Sequence, residues 1–193
     1  EQQLIAPLPP LRFKEPFTLV GSIAIDYAGP IETIQGRGKT RYKRYICLFT
    51  CLNTRAVHLE MATGLDTDSF LRAFLRFMSR RGKPKLILSD NGTNFKGAVK
   101  GLKDILVDNY KVKRWMANNE IQWIFNPPRA PHFGGVFESM IKSAKRAMSC
   151  IIGQADITDE ELTTVLVRVE ELLNSKPLTT ATADPKDVTV LTP

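Results

Sequence analysis

The chain has 193 residues, 43% of them hydrophobic, and 27 Lys and Arg against 20 Asp and Glu give a net charge of +7. That is enough chain for one domain with a real core, and no apolar run reaches the roughly 20 residues that a membrane span needs. Three cysteines and two histidines argue against a disulfide framework or a zinc site, the basic balance favours an anionic partner, and the lack of a basic-then-apolar leader points to a reduced, intracellular protein that is not secreted.

In chain order, residues 1–16 hold Pro7, Pro9, Pro10 and Pro16 with little periodicity and read as a linker or arm. A first strand is expected over 18–27 and a second over 43–52, where Cys47 and Cys51 share one face by parity. Between them, Gly36-Arg37-Gly38-Lys39 with Arg41, Lys43 and Arg44 reads as a basic turn. A third strand runs from Ala56 to Met61. Phe70, Leu71, Phe74, Phe77 and Met78 then recur at helical spacing between an Asp66-Thr67-Asp68 start and an Arg80-Arg81-Gly82 stop.

The run 85–89 is apolar on both faces and suits a central parallel strand. Residues 95–118 read as interrupted helix, Ile121 to Phe125 as a fifth strand, and Asn126 to Gly135, rich in Pro and Gly, as a loop. Helices are expected over 136–152 and 159–174, the second opened by a Thr158/Glu161 capping box, with an irregular tail over 176–193. The order gives an α/β domain over 17–175: a mixed five-stranded sheet, three antiparallel strands then two parallel, flanked by helices.

Three carboxylates stand out. Asp26 ends the apolar run Ile23-Ala24-Ile25, sharing a face with Ser22 and Ala24, and taken alone it reads first as a solvated acid near a strand end. Asp90 follows Leu86-Ile87-Leu88-Ser89 and precedes the turn dipeptide Asn91-Gly92. It also falls where open α/β sheets bind ligands, at the carboxyl end of a parallel strand. Glu138 lies beside the apolar stripe Phe137, Met140, Ile141, Ala144, Met148 and Ile151, in line with Lys142, Lys145 and Ser149. That line is either a solvated Glu–Lys face or an acid beside amines that hold phosphates. Two strand-borne acids and one helix-borne acid would suit hard divalent cations. His132 reads as a loop residue touching substrate or the loop itself rather than a metal ligand.

Asp26-Tyr27-Ala28-Gly29-Pro30, Ser89-Asp90-Asn91-Gly92-Thr93-Asn94-Phe95 and His132-Phe133-Gly134-Gly135-Val136-Phe137-Glu138 together resemble the integrase catalytic core of retroelements. Thr54-Arg55-Ala56-Val57-His58-Leu59-Glu60, Leu65-Asp66-Thr67-Asp68-Ser69-Phe70, Arg80-Arg81-Gly82-Lys83-Pro84 and Leu173-Asn174-Ser175-Lys176-Pro177 are similar to its BEL/Pao retrotransposon branch.

The resemblance implies a ribonuclease H-like fold in which Asp26, Asp90 and Glu138 bind two magnesium or manganese ions. It places Thr93, Asn94, His132 and Arg146 near DNA, and Lys142 and Lys145 on the element's own DNA end. It further implies a homo-oligomer that trims retroelement ends and joins them to target DNA, in the nucleus or an intracellular virus-like particle. The 47 residues between Asp90 and Glu138 exceed the spacing usual in retroviral relatives, and the helical 95–118 segment can absorb the excess. Two other readings share the residues: a ribonuclease H-like nuclease that only hydrolyses, and a domesticated core that binds DNA or assembles without catalysis.

Overall fold

The computed structural model describes residues 21–36, 40–89, 120–125, 131–153, 155–180 and 190–193, with positions 114 and 118. Five strands form one sheet: β1 (Ser22–Gln35), β2 (Thr40–Cys51), β3 (Val57–Ala62), β4 (Leu86–Ser89) and β5 (Gln122–Phe125), in the order β3-β2-β1-β4-β5. The first three run antiparallel, and β4 and β5 run parallel to β1. Helix α1 (Thr67–Arg81) packs on one face, and α2 (Pro131–Ile152) and α3 (Asp159–Asn174) pack on the other. The mixed sheet expected from the sequence is therefore present, and most of the expected 95–118 helix lies outside the described residues.

Alternation along β1 sorts the core. Ile23, Ile25 and Tyr27 join Cys47, Phe49, Phe70, Phe74 and Phe77 beneath α1. Ala24 and Ala28 face the other way, toward Leu48, Ala144, Met148, Leu162 and Leu166. The expected shared face of Cys47 and Cys51 fits two buried, free thiols on β2.

Helix ends follow local chemistry. The Asp66 side chain accepts from the Ser69 backbone N–H at 2.9 Å, and Gly82 closes α1 with its N–H on Met78 O. At α3 the Thr158 hydroxyl accepts from Glu161 N–H at 3.2 Å, while Glu161 accepts from Thr158 N–H at 2.7 Å. This is the capping box read from the sequence.

Several boundaries differ from expectation. β1 continues to Gln35 instead of ending near Tyr27, because Ile31, Thr33 and Ile34 resume a β-favouring pattern beyond Gly29-Pro30. The Gly29-Pro30 bond is cis and sits where the register against β2 shifts between Ala28 and Ile31, a position that tolerates proline. Gly29 has φ +119°, and a Cβ there would lie 3.0 Å from Arg44 O. Arg41, Lys43 and Arg44 belong to β2 rather than to a turn.

Helix α2 starts at Pro131, five residues before the expected 136, so 131–135 is helical and not loop. Proline fits a first helical turn, where its missing N–H has no partner to lose. Ile151 leaves the predicted apolar stripe and is 46% exposed, while Ala147 and Ile152 pack inward. In the tail, β6 (Thr179–Thr180) pairs antiparallel with β7 (Val190–Leu191).

Candidate active site on the sheet

Asp26 lies mid-β1, half-buried, on the α2/α3 face between Ala24 and Ala28. Its Oδ1 accepts the Tyr27 backbone N–H at 2.6 Å, and its backbone pairs with Leu48 of β2. The small side chains on either side leave room around the carboxylate. On the reverse face, burial pushes the Tyr27 phenol and Cys47 thiol far up, so both stay neutral and take no part in chemistry at Asp26.

The parallel strands end level with this acid. Ser89 pairs with Ile25 on one side and with Phe125 on the other. Trp123 donates its indole N–H to Ser89 Oγ at 2.9 Å, tying the ends of β4 and β5 together. Asp26 thus stands one residue beyond the last β1–β4 pair, at the carboxyl edge of the parallel layer, where α/β sheets present ligand sites.

No family model matches the sequence, and no curated protein matches it. Among solved structures, the HTLV-2 integrase catalytic core domain in complex with magnesium, in its dimeric form, is similar with a TM-score of 0.53 at 17% identity, covering 80% of this chain and 86% of that one. The trimeric form of that domain gives 0.56 at 14% identity, over 88% and 92% of the two chains. A chain of the simian T-cell lymphotropic virus intasome, in complex with the PP2A regulatory subunit B56 gamma, gives 0.57 at 12% identity. There the match covers 94% of this chain and 57% of that chain. The chain has the ribonuclease H-like fold of integrase catalytic cores.

On this integrase-like fold the predicted site residues fall unevenly. Asp90, Thr93 and Asn94 lie outside the described residues, although the chain neighbours of Asp26 and Asp90 (Ile25 and Ser89) stand opposite each other in the parallel register. Glu138 and His132 belong to the first turns of α2, and their side chains also lie outside the described set. Lys142 and Arg146 are exposed on α2, and Lys145 is half-buried. Lys145, Met148 and Ser149 wall an open groove of about 840 Å³, whose other wall is Ala28 to Glu32 of β1. Among the described side chains no three ligating groups gather around a metal. Asp26 offers the hard oxygen donor that Mg²⁺ or Mn²⁺ prefers.

A second polar cluster escaped the sequence reading, which weighed His58 only as a zinc ligand. At the β3 edge His58 Nε2 lies 2.9 Å from Glu60 Oε1, and Nδ1 lies 3.0 Å from Glu170 Oε2. Glu60, only 4% exposed, also accepts from Arg76 Nε at 2.6 Å and from Arg80 at 2.5 Å. Arg81 pairs with Glu170. The signal was available: His58 and Glu60 sit two apart on one strand face, and Arg76 and Arg80 sit four apart on one helix face.

Proposed function

We propose that this chain is a DNA integrase catalytic core, a polynucleotidyl transferase of the BEL/Pao type that trims the 3′ ends of retroelement DNA and joins them to target DNA. The observation that supports it most is register. Ile25 and Ser89 are paired, and the next residue along each chain is an aspartate, Asp26 and Asp90. Continued by one residue, a parallel ladder would bring those two acids side by side. Glu138 belongs to the helix that packs over Asp26's side of the sheet.

In this reading Asp26, Asp90 and Glu138 hold two magnesium or manganese ions. Bound there, such ions activate the attacking oxygen and stabilise the leaving 3′ oxygen of an in-line displacement. The attacking group is water when the end is trimmed and the new 3′ hydroxyl when strands are joined. The protein supplies no covalent nucleophile. The Tyr27 N–H hydrogen bond orients the Asp26 carboxylate for ligation. Lys142, Lys145 and Arg146 line up along α2 to hold phosphates flanking the cut, while Thr93, Asn94 and His132 approach the DNA from the adjoining segments. Work on paired ends calls for at least a dimer.

The deciding experiment pairs Mn²⁺ calorimetry with a strand-joining assay using a 3′-hydroxyl oligonucleotide donor. Two ions bound per chain, with joining abolished in Asp26→Asn, is the expected result. Undiminished joining by that variant, or hydrolysis without joining in the wild type, defeats the integrase reading.

A further inference from the structure

We propose that His58 is a proton-operated bolt: its imidazolium, gripped by Glu60 and Glu170, fastens α3 to the β3 edge, and loss of the proton releases that grip. The inference is independent of the chemistry at Asp26, and it starts from how the sheet edge is closed. β3 is the outer strand, so its outward backbone groups need partners or water. Helix α3 supplies them from the far face. Asn174 accepts from Val57 N–H at 2.7 Å and donates to Val57 O at 2.9 Å, and Glu170 Oε2 accepts from Leu59 N–H at 3.0 Å. From the near face α1 contributes Arg76, which donates to Met61 O. His58 lies between the two helices, its ring tilted against those of Phe77 and Phe49.

Both ring nitrogens face carboxylate oxygens at about hydrogen-bond distance, which only the doubly protonated ring satisfies. A neutral ring keeps one N–H and must turn a lone pair on the other acid. Nδ1 has a second neighbour that makes the outcome specific: Arg81 Nε at 3.4 Å, a donor. The two Nδ1 contacts are incompatible. The protonated ring donates to Glu170 at the shorter distance, and the neutral ring accepts from Arg81 instead. Deprotonation therefore breaks the His58 link to Glu170, leaving α3 held there by Asn174, the Leu59 N–H and Arg81, and keeps the ring's links within β3 and to α1. The guanidinium groups of Arg76, Arg80 and Arg81, roughly half exposed, cannot take over the ring's place between the two acids.

The electrostatics set the direction. Burial alone lowers the basicity of His58, but the hydrogen bonds it donates to Glu170 and Glu60 override it and raise the pKa above 6.5. Burial pushes Glu60 and Glu170 up, yet the His58 bonds, with the arginines, bring both below 4.5. The contribution of His58 is thus complete below about 6.5 and is lost as pH rises through the raised value. Those of the two glutamates are complete above about 4.5 and are lost as pH falls through the lowered values. The edge is held most tightly between these limits.

The test is NMR on the full ¹⁵N-labelled chain. Imidazole spectra should show both His58 nitrogens protonated at pH 6 and a midpoint above 6.5. The protection factor of the Leu59 amide, corrected for intrinsic exchange, should fall as pH rises from about 6.5 to that midpoint, by at most about tenfold per pH unit, and level off above it. In Glu170→Gln, which keeps an acceptor for Leu59 but removes the charge, the midpoint should drop and the pH dependence flatten. Titration of wild-type His58 at or below 6.5, Leu59 protection that stays level through the titration, or an unmoved midpoint in Glu170→Gln would each overturn the proposal.

Discussion

The sheet face under α1 is built from large aromatic side chains, whereas the face under α2 and α3 is built from alanines and branched aliphatics. Phe49, Phe70, Phe74 and Phe77 are each no more than 3% exposed, and the Phe49 and Phe77 rings stack with centroids 4.3 Å apart. Opposite them, Ala24, Ala28 and Ala144 line the α2 side, and the half-buried acid Asp26 sits among them. Bulky rings fill space and exclude water; small residues leave a carboxylate reachable. One face can carry the stability of the domain while the other carries a site. The difference also explains why α3 is secured by polar fixings at its ends and edge: Asp159 to the β1–β2 ribbon, and Glu170 and Asn174 to β3.

That division is open to direct attack, and the largest expected effect is at Asp26. Asp26→Asn removes the carboxylate charge with little change in volume. Strand joining should fall by about 10²–10³-fold, equivalent to several kcal/mol of lost transition-state stabilisation. The urea midpoint should stay within experimental scatter of the wild type. A variant that unfolds in step with its loss of activity would mean that Asp26 is structural and the two faces are not separate in role. Phe74→Ala makes the converse change. It empties a fully buried site under α1 and should cost about 3–5 kcal/mol in urea unfolding. Joining activity per folded molecule should be unchanged, since Phe74 lies on the face turned away from Asp26.

Much of this contrast was legible in the sequence because it rests on parity and periodicity. Alternation in Ser22 to Tyr27 put Asp26 on the face opposite Ile23, Ile25 and Tyr27, and the spacing of Phe70, Phe74 and Phe77 gave α1 with its caps. What stayed hidden depended on contacts between distant segments. Past Gly29-Pro30 the β-favouring residues Ile31, Thr33 and Ile34 are held by pairing with β2 and Ile157, with Ile34 N–H on Ile157 O at 2.8 Å, and the contact with Ile157 has no local signal. Pro131 read as a helix breaker, although in a first turn its ring is harmless. His58, Glu60 and Glu170 were each visible as charges, but their convergence joins residues more than a hundred apart, which periodicity cannot foresee.

Two smaller changes sharpen the account of how α3 is held. Asp159 accepts from Arg44 Nε and Nη2, both at 2.9 Å, and from Thr33 Oγ1 at 2.6 Å, and it also pairs with Gln35. Arg44 is 8% exposed, so Asp159→Asn leaves a buried guanidinium facing one neutral acceptor in place of a carboxylate. A loss of about 1.5–3 kcal/mol is expected in urea unfolding, and a loss near zero would place the hold on α3 in its apolar face alone.

Thr158→Ala should have the smallest effect, about 1 kcal/mol, since it removes only the two hydroxyl hydrogen bonds of an exposed cap. Its value is in where the effect appears. Hydrogen exchange should quicken at Glu161 and its neighbours in the first turn of α3, while the Leu59 amide, held from the helix's far end by Glu170, keeps its protection. If Leu59 loosens together with the cap, α3 moves as one rigid rod and its two ends are not fastened independently.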